Sequence, residues 1–247
     1  MQSSTIGRAA WHLIEYPEAV STNDLARECP PWTAVRADAQ SGGRGRYGRA
    51  FVSDPGGLWL SAVLPADGGA RKWAGFSLMV GVHLLEMLEG LGVRSARLRW
   101  PNDLMCGTKK LAGLLIEQSS AGSLIVGFGL NNTNRPWERD PALGPIATSM
   151  SAVAPSTPAV RDLAILTLDA LADAHAAMER GGMALAIGKL NARWEEPRPV
   201  ELDLAGGHLL TGHFSGLDSD GNLRIIAPSG EMIVVEHQSV EKLREIL

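Results

Sequence analysis

Between residues 72 and 91, KWAGFSLMVGVHLLEMLEGL, apolar side chains return every three or four positions: Trp73, Phe76, Met79, Val80, Leu84, Met87 and Leu91. That spacing is the period of an α-helix with one face in a core, and Gly92 suits the stop. His83 falls on the same face, where a histidine satisfied within the core is the expectation. A second stripe runs through residues 159–180 with Val160, Leu163, Leu166, Leu168 and Leu171, closed by Gly181 and Gly182; a shorter helix is predicted at about 183–195. Elsewhere the period drops to two. TAVRADAQ (33–40) reads as a strand with one buried face, and LWLSAVL (58–64) as a largely buried one. ARLRW (96–100), KLAGLLIEQ (110–118) and SLIVGFGL (123–130) read as three strands joined by short turns, the last pair through Ser-Ala-Gly at 120–122. Such tight connections suit antiparallel neighbours, because parallel strands need a crossover. Residues 131–158, rich in Asn, Pro and Thr, are predicted as loop.

From Arg198 the pattern changes to PVELDL, LLTGHFSGL, NLRIIA and MIVVEH, punctuated by Gly-Gly, Asp-Gly and Ser-Gly turns. Asp220-Gly221 is a hairpin signal, and short strands at this spacing predict a small barrel. The expected architecture is α+β: a domain at 1–195 with helices on a mixed, largely antiparallel sheet, and an SH3-like β-barrel at 196–247.

Composition narrows the class. With 247 residues, 45% hydrophobic and 20% charged, the chain is an ordinary globular one, long enough for one large domain plus a small one. A formal net charge of -4 argues against coating nucleic acid. Two cysteines, Cys29 and Cys106, make no disulfide framework and lie in no metal-ligand cluster. No signal peptide and no apolar run of membrane-spanning length is evident, so a cytoplasmic protein off the membrane is expected.

Against that background GGRGRYGRAF, residues 42–51, is unusual: three arginines and four glycines in ten residues, framed by strands. Alone it has three readings: a solvated turn, a nucleic-acid-binding Arg-Gly segment, or a loop that closes over a small anion. RWPNDLMCGTKKLAGLLIE (99–117) joins a strand end to a Pro-Asn-Asp turn and a strand beginning at a lysine pair; alone it could be an ordinary hairpin. VSTNDLARE (20–28) could be a helix start capped by Thr22 or Asn23.

Together, Ser21-Thr22-Asn23, Gln40 with GGRGRYGR, RWPND, KKLAGLLIE and GFGLN (127–131) resemble, in order and spacing, the biotin protein ligases, over essentially the whole chain from about residue 10. The resemblance implies a fold like the class II aminoacyl-tRNA synthetases and biotin synthetases, and a two-step reaction. Biotin and ATP, with Mg²⁺, form biotinyl-5′-adenylate; the acyl group then passes to a lysine of a biotin carboxyl carrier protein. It implies Ser21, Thr22, Asn23, Gln40, Gly43, Arg44, Gly45, Arg46, Phe51, Lys110, Gly113 and Leu115 for biotin, and Arg44, Arg46, Arg49, Asn102, Lys110 and Asn131 for ATP. Lys110, Arg46 and Asp103 are the implied catalytic set: Lys110 contacts carboxylate and α-phosphate, Arg46 retains the adenylate, and Asp103 orients or helps deprotonate the acceptor lysine. Lys110 is preferred to Lys109 because strand alternation separates the two. No metal cage is visible. Two departures stand out. Tyr47 occupies the place of a more usual basic residue, and Phe51 that of a common tryptophan. With only a short tail before residue 10, a DNA-binding domain is not expected, which implies the single-function type and no DNA partner. A homodimer through an exposed strand is left open. A lipoate or octanoate enzyme of the same fold, or a non-catalytic biotin-binding module, are the competing readings.

Overall fold

The structure, a computed structural model, describes residues 1–119, 122–194, 197–236 and 239–246. The chain divides into two compact units, Met1–Ala176 and Ala177–Leu247. The first is built on eight strands: β1 (Gln2–Ile6), β2 (Trp11–Ala19), β3 (Thr33–Gln40), β4 (Leu58–Leu64), β5 (Ala96–Arg99), β6 (Asp103–Cys106), β7 (Lys109–Gln118) and β8 (Leu124–Leu130). They form one sheet in the order β1-β2-β3-β4-β8-β7-β6-β5. Every neighbouring pair is antiparallel except β2 with β3. The helices are α1 (Thr22–Ala26), α2 (Phe76–Gly90), the short α3 (Pro136–Arg139) and α4 (Met150–Val153), and α5 (Val160–Glu179), whose last residues belong to the second unit.

Register explains why function gathers on one side of this sheet. Val35 lies opposite Ser61, Ser61 opposite Gly127, and Gly127 opposite Leu115; one step along, Trp59 meets Gly129 and Gly129 meets Gly113. Side chains of opposed residues share a face. Val35, Val63 and Ile125 on that face close a buried cluster with Ala26, to which Tyr16 and Cys29 add. The helix α1 therefore packs on β3, β4 and β8. Elsewhere in the unit Leu163, Leu168 and Leu171 of α5 and Leu84, Leu85 and Leu88 of α2 are fully buried.

Strands at 33–40 and 58–64 and the helix at 159–180 form as the periodicity predicts, and 96–130 is an antiparallel meander. Five readings need correction. The meander has an additional strand, β6, because the residues after Pro101 leave the turn at once and pair with β7. The helix predicted from residue 72 starts at Phe76: Gly75, at φ 76°, interrupts it, and Ala70–Trp73 form only a 3₁₀ turn. His83 is half-buried at the flank of α2, its Nδ1 3.8 Å from Glu86; among the described residues the buried histidine is His175, stacked on Trp73 at 4.9 Å with Nε2 2.9 Å from the Pro65 carbonyl. The first residues are no tail, since β1 pairs with β2 along its length. Within 131–158, α3, α4 and a 3₁₀ turn at Pro141–Leu143 break up the predicted loop.

The second unit carries α6 (Met183–Ala192) and five strands: β9 (Arg198–Leu204), β10 (His208–Leu217), β11 (Leu223–Ile226), β12 (Met232–Val235) and β13 (Val240–Glu245). They form an antiparallel sheet in the order β12-β11-β10-β9-β13. Among the described residues it is an open sheet rather than a closed barrel. The hairpin at Asp220-Gly221 is an Asx turn, in which Asp218 Oδ1 accepts from the N–H groups of Asp220 and Asn222. The predicted turn residues Ser120 and Ala121, Glu195 at the end of the predicted short helix and at the domain boundary with Glu196, and His237 after β12 lie outside the described residues.

Candidate active site

Three glycines clear the face of the sheet that α1 shares. A Cβ on Gly127 would lie 2.4 Å from Asn23 Oδ1, one on Gly113 2.9 Å from Lys110 Nζ, and one on Gly129 3.0 Å from the Phe51 ring. Because these positions are bare, Asn23, Lys110 and Phe51 can lie down on the strands. Phe51 packs edge-on to Trp59, centroids 5.8 Å apart, and Lys110 Nζ sits 5.2 Å from the Phe51 centroid. Leu115 shares the face by its pairing with Gly127.

Lys110 reaches this face through an irregularity. Counting back from Gly113 in steps of two would select Lys109. Between Leu104 and Met105 the register slips, so that Leu104 opposes Ala112 but Met105 opposes Lys110. This bulge turns Lys110 toward Gly113 and Asp103, while Lys109 Nζ is sent to the Gly144 carbonyl at 3.0 Å. The displaced main chain finds other partners: Lys110 N–H donates to Ile146 O and Lys110 O accepts from Thr148 N–H. Leu111 O accepts from Asn131 N–H, which ties the bulge to the end of β8.

Asp103 holds Lys110 Nζ at 2.6 Å through one oxygen and accepts from Arg99 at 2.6 Å through the other. Its burial works to raise its pKa, but the two cations outweigh it and hold the carboxyl below the usual range. Asp103 is thus a fixed anion with both oxygens engaged, suited to orienting Lys110. A group whose folded pKa is depressed adds stability above its unfolded value of about 3.9, lost as pH falls through the folded value. Asp103→Asn should therefore cost about 3 kcal/mol at neutral pH, because two cations lose their partner, and should flatten the acid limb of the stability curve. Denaturant unfolding between pH 3 and 7 checks this; an unchanged acid limb would contradict it.

At the other end, Gln40 Oε1 accepts from Thr22 N–H at 2.8 Å and lies 3.1 Å from Thr22 Oγ1, while Gln40 Nε2 donates to Ser53 Oγ at 2.9 Å. These contacts fix the amide's orientation and leave one Nε2 hydrogen unused by them. Ser61 Oγ lies 2.5 Å from Asn23 Oδ1 and 2.7 Å from Thr22 Oγ1, and Asn23 Nδ2 donates to Glu117 at 2.7 Å. Ser21 is the N-cap of α1 but makes no side-chain cap, and Thr22 and Asn23 lie inside the helix with their side chains on the sheet; the capping reading of Thr22 and Asn23 does not hold.

The Gly/Arg loop is a hairpin. Gly43 O accepts from Phe51 N–H at 2.9 Å, Gly45 N–H donates to Arg49 O at 2.7 Å, and Arg44 bridges Ala50. Its tip turns at Tyr47 and Gly48, with φ 57° and 69°. The guanidiniums of Arg46 and Arg49 lie 5.0 and 5.7 Å from the Tyr47 centroid, and Arg46 Nη2 donates to the Tyr47 hydroxyl at 3.0 Å. Gly43 is buried against Ser53; Arg44 forms a double ion pair with Asp24.

The structure therefore brings together Thr22, Asn23, Gln40, Gly43, Phe51, Asp103, Lys110, Gly113 and Leu115. Arg46 and Arg49 stay at the loop tip. Asn102 and Asn131 serve the main chain: Asn102 Nδ2 donates to Leu114 O at 2.7 Å, and Asn131 Nδ2 to Thr148 O at 2.9 Å. An open cleft of about 570 Å³ lies at the neighbouring turn, lined by Asp54, Pro55, Thr133, Asn134, Arg135, Glu138 and Arg139. Sequence reasoning did not single out Ser53, Ser61 and Glu117, which orient the polar set; the two serines sit on or beside strands with no local pattern to mark them, and Glu117 closes the KKLAGLLIE segment as one polar residue at a strand end. Among the described residues no group of three or more His, Cys, Asp or Glu could hold a metal ion, and no helix is long and apolar enough to cross a membrane.

Residues 18–131, which carry every one of these site residues, match the model of the biotin/lipoate A/B protein ligase family. The chain belongs to that family. A biotin–[acetyl-CoA-carboxylase] ligase of Paracoccus denitrificans is 30% identical over 231 residues, 87% of this chain and 94% of that one. The bifunctional ligase/repressor BirA of Bacillus subtilis is 33% identical over 153 residues, 58% of this chain and 47% of its own; the chain spans about half the length of the first curated relatives it matches. Among solved structures, a biotin protein ligase of Aquifex aeolicus in complex with biotin and ATP superposes with a TM-score of 0.84 at 27% identity, covering 95% of this chain and 99% of that one.

Proposed function

We propose that the chain is an ATP-dependent biotin–protein ligase. In the first step a biotin carboxylate oxygen attacks the α-phosphorus of ATP; a P–O bond forms and the bond to pyrophosphate breaks. In the second, the ε-amine of a carrier lysine attacks the acyl carbon, a C–N bond forms, and AMP leaves with the electron pair of the C–O bond. The lysine loses its proton in that step. Both substrates of the first step are anions, so the site must supply fixed positive charge where they meet. Lys110, aimed by the bulge and steadied by Asp103, is that charge, and it is the observation that carries the reading.

The Gln40–Thr22–Asn23 set is neutral, polar and held in register by Ser53, Ser61 and Glu117. It suits a ureido ring, which needs paired donors and acceptors rather than charge. That favours biotin over lipoate, whose dithiolane offers no such groups. Phe51 and Trp59 give the apolar wall, and Gly113 and Leu115 the floor beside the valeryl chain. The loop tip, with Arg46 and Arg49, closes over the mixed anhydride and keeps water from it. The Arg44 main chain meets the ureido ring beside Gln40, Asn102 and Asn131 frame the nucleotide side, and Mg²⁺ enters with the phosphates of ATP.

Incubating a biotin carboxyl carrier domain with the protein, biotin, ATP and Mg²⁺ should add one biotinyl group to a single lysine, read by mass spectrometry. An unmodified carrier, or one labelled only when lipoate replaces biotin, would overturn the reading. Arg46→Gly should leave adenylate synthesis within about tenfold of wild type while releasing the product, because Arg46 acts after the anhydride forms. Bystander lysines added to the mixture should then become labelled; strict labelling of the carrier alone would contradict the retaining role.

A further inference from the structure

The Gly/Arg loop carries three arginines that resemble one another in sequence and differ in the structure. Arg46 and Arg49 gather on Tyr47 at the tip. Arg44, at the base, sends Nη1 to Asp24 Oδ2 at 2.9 Å and Nη2 to Asp24 Oδ1 at 2.5 Å, a two-pronged pair between a planar guanidinium and a carboxylate. Asp24 lies in the first turn of α1, directly after Asn23. Arg27, on the same helix, is 3.8 Å from Asp24 and 2.7 Å from Glu117, the carboxylate that also accepts from Asn23 Nδ2. One charged chain thus runs from the loop through α1 to β7, and it touches Asn23 on the way.

We infer that Asp24 is a positioning residue: it latches Arg44 to α1 so that the loop base stays docked beside Thr22, Asn23 and Gln40, and it engages the Arg44 guanidinium that would otherwise be offered to phosphate. The pair's position supports this. Arg44 bridges Ala50 in the hairpin, and two residues earlier Gly42 N–H donates to Val20 O at 2.8 Å, so the latch closes the third side of the loop base. A guanidinium already satisfied by a carboxylate in this geometry has little to offer a triphosphate. The carboxyl of Asp24 is held below its ordinary pKa, first by the hydrogen bond from Arg44, which agrees with a pair kept at neutral pH.

The inference rests on the ligase reading for its ligand but not for its first test. In the ligand-free protein, Asp24→Asn should speed chymotrypsin cleavage after Tyr47 by about tenfold, since a loop base freed from its anchor opens more often. The exchanged pair, Asp24→Arg with Arg44→Asp, should bring cleavage back toward wild type. With biotin and ATP, Asp24→Asn should raise the KM for biotin about tenfold and leave kcat within about twofold, and Arg44→Met should leave the KM for ATP unchanged. Unaltered cleavage in Asp24→Asn, no recovery in the exchanged pair, or a raised KM for ATP in Arg44→Met would each overturn the latch. Failure of the wild type to form adenylate would overturn the ligase reading and leave the cleavage result standing.

Discussion

Lys110→Ala is expected to slow formation of the biotinyl adenylate by about a thousandfold while changing the dissociation constant of biotin by less than about tenfold. The asymmetry follows from where the ammonium lies. Its Nζ is 2.6 Å from Asp103 and above the Phe51 ring, at the edge of the glycine floor, while the polar set at Gln40, Thr22 and Asn23 holds the ligand's other end through separate contacts. A ground-state carboxylate can exchange Lys110 for water; two anions pressed together cannot. Removing the lysine also leaves Asp103 facing the phosphates with only Arg99 to offset it, which adds repulsion. Lys109→Ala is the matched control, because Lys109 Nζ binds the Gly144 carbonyl on the exposed side. Single-turnover adenylation and titration calorimetry check the pair of variants. Equal losses in binding and adenylation would remove Lys110 from its assigned role.

Gly127→Ala should nearly abolish biotin binding. Its methyl would stand 2.4 Å from Asn23 Oδ1, and Asn23 cannot withdraw cheaply: it is buried, held by Ser61 at 2.5 Å and by Glu117 at 2.7 Å. Displacing it also loosens the Ser61–Thr22–Gln40 contacts, so the whole ureido-binding edge moves. A loss of affinity above about a hundredfold, with strain of about 1–3 kcal/mol on the fold, is expected. Calorimetry with biotin and a thermal melt separate the two effects. Affinity within about threefold of wild type would show that the polar edge does not hold biotin.

Much of the site was legible from the sequence because its residues cluster in short segments. Thr22, Asn23, Gln40, Gly43, Phe51, Asp103, Lys110 and Gly113 gather around one face of one sheet. What was illegible depends on pairing between distant strands. Nothing in KKLAG announces the bulge that turns Lys110 inward; it appears only when Met105 is set against Lys110. Asp24 reads as an ordinary acidic residue in a helix's first turn until Arg44 is found across from it. The strand β1, QSSTI, carries no alternation because it is an edge strand with little to bury. The strand β6 is only four residues long and follows a turn signal at once, which hid it.

The most direct test needs no acceptor. The protein is incubated with biotin, ATP and Mg²⁺, passed through a desalting column, denatured, and the released small molecules are weighed. One biotinyl-5′-adenylate per chain, with pyrophosphate in the flow-through, is the expected result. Biotin recovered unchanged, or ADP in place of pyrophosphate, would contradict the claim that Lys110 and the arginine loop join a carboxylate to the α-phosphorus and keep the product.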